Sequence, residues 1–161
     1  MTDSGYPRQV RRWRRGTALS EAELVYEGRQ VDVLIAASVD RTPGFERTLI
    51  SRAVDFFNDE IYELRGTELL RIDAPTDATV STHRDWLLIE LRTDWDGHRA
   101  GSLLAADYRE FLSGTKNLTV VFEPDARTSL HQYSWTRDQL VVVTLADVSS
   151  RVQIVTPGSW T

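Results

Sequence analysis

The feature that most constrains this chain is an internal repeat, since repetition at a fixed period decides the architecture before any single element does. Three segments share one order: hydrophobic residue, any residue, aromatic residue or Ile, then an acid. They are Leu24-Val25-Tyr26-Glu27, Leu70-Arg71-Ile72-Asp73 and Val120-Val121-Phe122-Glu123, which begin 46 and 50 residues apart. A second signal lies downstream of the last two. Ser81-Thr82-His83-Arg84-Asp85-Trp86-Leu87-Leu88 aligns with Ser134-Trp135-Thr136-Arg137-Asp138-Gln139-Leu140-Val141 at an offset of 53. In each copy a polar strand meets an Arg-Asp turn and then an apolar strand, which is a β-hairpin with charges at its tip. A β-rich repeat of ~40–50 residues is the size of one four-stranded propeller blade. Two similar hairpins in one sandwich give the same pattern, so that alternative stays open.

The rest of the chain reads mostly as short strands. Trp86 to Leu91 and Leu140 to Leu145 are near-continuous apolar runs, as strands buried on both faces require. Val31 to Val39, Leu118 to Phe122 and the alternating Val152-Gln153-Ile154-Val155 before Pro157-Gly158 read similarly. One short helix is expected near 107–113: Asp107 can cap it, Glu110 completes a capping box, and Gly114 ends it. Leu49 to Leu64 reads two ways. Ala53, Phe57, Ile61 and Leu64 have helical spacing, yet 47–54 and 60–64 also make two strands with Asn58-Asp59 at the turn. The strand reading is favoured, because a lone helix would interrupt a β-rich chain.

Composition narrows the function classes. The 161 residues carry a net charge of −5, with 41% hydrophobic and 27% charged residues, as in an ordinary globular domain. No apolar run approaches the ~18 residues of a membrane-spanning helix. Met1 to Pro7 has no apolar core of the kind a signal peptide needs. With no cysteine, disulfides, thiolate metal sites and cysteine nucleophiles are excluded, and a cytoplasmic setting is the default. The acidic balance argues against bulk nucleic-acid binding. Arginine outnumbers lysine so far that Lys116 stands alone, which reads as codon bias.

Several stretches resemble bacterial prolyl oligopeptidase (prolyl endopeptidase) family serine peptidases. They are Met1 to Arg8 with Trp13-Arg14-Arg15-Gly16-Thr17, Ser38 to Thr42, Asp85 to Leu88, Ala100 to Asp107, and Tyr133 to Arg137. The resemblance covers roughly residues 1 to 158. It implies a cytosolic, cofactor-independent peptidase with an α/β-hydrolase domain and a seven-bladed β-propeller that limits access to short peptides. On this reading the chain is all-β: about three four-stranded blades of an incomplete propeller. The blade-like repeats fall at approximately 1–30, 31–76, 77–125 and 126–158. A closed propeller needs at least four blades, so the expected partners are the remaining blades, a hydrolase domain outside this chain, or further copies pairing through open sheet edges. No nucleic acid, membrane, metal or cofactor is expected.

A hydrolase of this kind needs a nucleophile elbow, G-x-S-x-G or a close variant. Gly101-Ser102 is followed by Leu103-Leu104, and Gly158-Ser159 lies at what reads as a frayed C-terminus. No catalytic residue is therefore assigned, and the chain alone is expected to be inactive. His131 lies near Ser129 and Ser134, but a Ser–His pair also needs an orienting acid and an oxyanion hole. His83 reads as a strand residue and His98 as a loop residue. Asp94 and Asp96 with Gly97 are too few oxygen ligands for a calcium loop. Asp59, Glu60 and Glu63 read as a solvated turn. Arg8, Arg11, Arg12, Arg14 and Arg15 surround Trp13, and an exposed edge strand with Trp13 packed inward explains them without a ligand. Contact with acidic groups elsewhere in a larger protein, or with a nucleic-acid backbone, are the other readings. Asn117-Leu118-Thr119 matches a glycosylation sequon, expected to be unused without secretion.

Overall fold

A computed structural model describes residues 1–161. It is nearly all antiparallel sheet and divides into two compact units, Met1–Ile72 and Asp73–Thr161. No helix is long and apolar enough to cross a membrane.

In the first unit, β1 (Gln9–Arg12) and β2 (Glu23–Glu27) form a two-stranded ribbon. Four strands follow in sequence order as one meander: β3 (Leu34–Asp40), β4 (Arg47–Ala53), β5 (Asp59–Arg65) and β6 (Glu68–Arg71). The ambiguous stretch 49–64 is thus two strands. Its turn is Val54 to Asn58, where the Asp55 carboxylate accepts from the Phe57 N–H and the Asn58 amide. Ile35, Ile50 and Ile72 are buried, so the β-branched residues that favour strands also fill the interior. The N-terminal segment is stitched to β3: Thr2 Oγ1 donates to the Val33 carbonyl at 2.9 Å, and the Ile35 N–H to the Pro7 carbonyl at 2.9 Å.

The second unit repeats the meander. It orders β7 (Thr79–His83), β8 (Trp86–Glu90), β9 (Leu103–Asp107) and β10 (Thr119–Phe122) in one sheet, then β11 (Thr128–Trp135), β12 (Leu140–Ala146) and β13 (Ser149–Val155) in another. Leu88, Leu103 and Ala105 of the first sheet meet Leu140, Val142 and Val155 of the second in one apolar cluster. Leu87, Leu88 and Ile89, like Leu103 to Ala106, are all buried, which is why both runs lack polar alternation. Helix α1 (Tyr108–Leu112) starts where expected, with Asp107 Oδ1 accepting from the Arg109 and Glu110 N–H groups at 2.9 Å. The Glu110 carboxylate accepts from the Asn117 amide at 3.2 Å; the expected capping-box partner is a loop tie.

The repeat now has a structural meaning. The first of the three four-residue segments lies on β2, and the other two begin on β6 and β10 and run past their ends, so each marks the last strand of its sheet. The two longer aligned segments form the first hairpin of the next two sheets, β7–β8 and β11–β12. The C-terminus is not frayed. Trp160 turns back with φ 56°, donates its N–H to the Thr156 carbonyl at 2.8 Å, and is only 9% exposed.

Candidate functional site

Two polar constellations are built, one in each unit. In the first unit, Asp32 stands just before β3 with its side chain 1% exposed. Its carboxylate accepts from Arg52 Nε at 2.9 Å, Arg52 Nη2 at 2.8 Å and the Arg29 N–H at 2.6 Å. Arg52 lies on β4 directly opposite Glu60 on β5, and its Nη1 donates to Glu60 Oε2 at 2.8 Å. Tyr62, two residues along the same face, donates its hydroxyl to Glu60 Oε2 at 2.7 Å. Arg71 on β6 faces Tyr62 in the register and stands 3.8 Å from Glu60. Strand alternation therefore lines up these groups, and each anion has a cation. The hydrogen bond from Arg52 holds the Asp32 carboxyl below its ordinary range despite burial. The Tyr62 hydroxyl, helped by the Arg52 charge, does the same for Glu60. The Arg52 guanidinium is raised by its bond to Asp32. Both carboxylates are held in their ionised form by cationic and hydroxyl donors, so neither is poised to abstract a proton.

This network overturns the solvated-turn reading of Asp59, Glu60 and Glu63. All three lie on β5, past the turn. Glu63 is buried and accepts from Arg65 Nε at 2.8 Å. Glu60 and Glu63 are an odd number of residues apart and face opposite sides of the sheet, so they cannot form a catalytic pair. Asp32 and Arg52 carried no local signal of their role; only the register brings them together.

In the second unit the two aligned hairpin tips meet. Arg84 Nη1, in the β7–β8 turn, donates to Asp138 Oδ1, in the β11–β12 turn, at 2.7 Å. The arginine of one copy thus binds the aspartate of the other. Beside them His83 stacks on Trp135, with ring centroids 4.4 Å apart and planes 12° from parallel, and its Nε2 lies 3.3 Å from the Arg137 carbonyl. Trp160 packs edge-on against Trp86 at 5.0 Å and Trp135 at 6.4 Å. This joint holds two sheets together and contains no nucleophile.

The remaining candidates are dispersed. His131 is exposed at a bulge in β11, and no serine is hydrogen-bonded to a histidine ring. Ser102 is 1% exposed, and Ser159 Oγ bonds the Thr156 carbonyl at 3.3 Å. His98 closes a tight bridge with Trp95 around Asp96 and Gly97, whose φ values of 48° and 80° explain the glycine. Asp94 Oδ1 accepts from the Ala100 N–H at 2.8 Å. Lys116, the single lysine, has a defined place. It contacts Asp73 at 2.6 Å and lies 5.3 Å from the Trp95 ring centroid, a cation–π arrangement. An open groove of about 600 Å³ is lined by Phe122, Glu123, Asp125, Thr144, Arg151 and Gln153 among others. The Asp125 carboxyl there is held down by the Arg127 N–H.

The arginine run also departs from expectation. A bulge between Val10 and Arg11 breaks the alternation, and β1 ends at Arg12, so Trp13 is not an inward strand residue but a loop residue 47% exposed. Arg8 pairs with Glu27, and Arg11 Nη1 donates to the Ala22 carbonyl at 3.0 Å. Arg12, Arg14 and Arg15 are exposed and engage no side-chain partner.

Comparison with known proteins agrees with the sequence resemblance. No protein-family model matches the chain. It is 28% identical over 166 aligned residues to an uncharacterized peptidase of Rickettsia prowazekii, covering 94% of this chain and 23% of that protein. It is 26% identical to an uncharacterized peptidase of Sinorhizobium fredii, covering 95% and 23%. Among solved structures, a post-proline cleaving enzyme from Rickettsia typhi superposes with a TM-score of 0.88 at 26% identity, covering 100% of this chain and 25% of that one. Oligopeptidase B from Trypanosoma brucei superposes at 0.66 with 19% identity, which speaks to fold alone. The chain spans about a quarter of the length of the relatives it matches. By sequence and by fold, this chain is similar to a quarter-length, sheet-rich portion of peptidases that include a post-proline cleaving enzyme.

Proposed function

We propose that this chain is a non-catalytic propeller segment of a prolyl oligopeptidase-type serine peptidase. In that role its sheets act as blades of a rigid lid that admits short peptides to a hydrolase active site outside the chain. The observation that carries the reading is the succession of meander sheets in a chain that matches a post-proline cleaving enzyme along its whole length. Incubating the pure chain with a prolyl peptide amide tests the claim. No turnover is expected. Turnover abolished by a serine-directed inhibitor would overturn it.

A second reading is a free-standing β interaction module that pairs by strand addition. It is favoured by β13, the last strand of a three-stranded sheet, where Val152 and Ile154 are 65% and 61% exposed. Solution mass separates the two readings. A stable monomer supports the module, whereas assembly of copies or aggregation supports an open row of blades.

A further inference from the structure

We propose that the arm formed by Arg12, Trp13, Arg14 and Arg15 is a docking surface for a short, extended acidic segment of a partner protein. The arm has three unengaged guanidinium groups, whereas Arg8 and Arg11 beside it are already tied down. Arg12 faces Glu23 across the β1–β2 ribbon without forming an ion pair, and Arg14 and Arg15 lie beyond the paired strand. Guanidinium forks bind carboxylates through two parallel hydrogen bonds, so unengaged arginines are suited to Asp and Glu side chains.

The arm is also preformed. Thr17 donates to the Arg14 carbonyl through both its N–H, at 3.2 Å, and its hydroxyl, at 2.9 Å. Trp13 Nε1 donates to the Thr17 carbonyl at 3.1 Å. Gly16 takes φ 89°, which a side chain would resist, to close the turn. A partner therefore meets a turn that needs little ordering on binding. The indole is fixed by its edge and is 47% exposed, which leaves apolar surface for an extended backbone to lie against.

Charge selects the class of partner. The chain as a whole carries −5, and at physiological salt a charge is felt over only ~8 Å. A short acidic segment sees the local cations. A nucleic acid long enough to leave the arm meets a net negative surface.

The test is fluorescence anisotropy of the full chain with a labelled octapeptide alternating Glu and Thr, beside a Gln/Thr peptide and a single-stranded DNA octamer. Saturable binding of the acidic peptide is expected at about 20 mM salt, weakened about tenfold or more by about 200 mM salt as screening rises. The triple variant Arg12→Gln/Arg14→Gln/Arg15→Gln avoids placing a second anion opposite Glu23 and should lose about tenfold or more in affinity. The matched variant Arg109→Gln/Arg127→Gln/Arg137→Gln removes the same charge elsewhere and should bind like the parent, and far-UV circular dichroism confirms that both stay folded. Absence of saturable binding, full retention by the arm variant, or equal loss in the matched variant would each overturn the proposal. Tighter binding of the DNA octamer would reassign the arm to nucleic acid.

Discussion

Replacing Asp32 with Asn tests the reasoning about the buried charge network most directly. The carboxylate is 1% exposed and accepts three donors, two of them from Arg52. Asparagine keeps the shape but loses the charge, and it turns an amide donor towards a guanidinium that has only donors. Breaking one side of a buried ion pair costs about 3–5 kcal/mol, because the partner charge is left uncompensated. Arg52 retains Glu60 at 2.8 Å, so the lower end, about 3 kcal/mol, is expected. The effect has a pH signature. The folded carboxyl is depressed by its bond with Arg52, so its stabilisation is complete above the unfolded value, near ~4. It is lost as pH falls through the folded value. Urea unfolding followed by far-UV circular dichroism, from neutral pH down to about pH 3, reads both effects. Hydrogen exchange at the Ile50 and Arg52 amides localises them to β4, which matters because Trp13 is the first unit's only tryptophan. The parent should lose stability on acidification more steeply than the variant. A variant within about 0.5 kcal/mol of the parent, with the same acid slope, would refute the account.

Two further outcomes follow from packing and charge in the second unit. Trp160→Ala should cost about 3 kcal/mol or more as a large core deletion and shift the remaining tryptophan emission to the red; an unchanged melting transition would mean that the C-terminal turn is not part of the core. Arg84→Ala and Asp138→Ala should show a coupling of only about 0.2–1 kcal/mol in a double-mutant cycle, because the pair is solvent-accessible, and it should shrink with added salt.

Much of the architecture is legible in local chemistry. Apolar runs rich in Val, Ile and Leu mark β8 and β12, and Asp107 marks the start of α1. The repeat locates the hairpins because the same turn recurs with the same flanking strands. The candidate sites were much less legible. Trp13 was expected to point inward, but one extra residue at the Val10–Arg11 bulge cancels the alternation on which that expectation rests. Glu60 and Glu63 looked like a hydrated turn because their arginine partners are set by pairing across β4 and β5 and by close placement on β5. The C-terminus around Gly158-Ser159 reads as frayed because a left-handed backbone turn is invisible in residue type when the residue adopting it is a tryptophan, here Trp160.

Residue order alone determined that this chain forms successive antiparallel hairpins of similar length, because strand propensity and turn chemistry act over a few neighbouring residues. Tertiary structure decided that Asp32 meets Arg52, that Arg84 of one hairpin reaches Asp138 of the next, and that the neighbouring Arg12, Arg14 and Arg15 remain without side-chain partners. Those outcomes depend on register and on the stacking of sheets, which bring together groups far apart along the chain and turn a charge into an anchor or leave it in water.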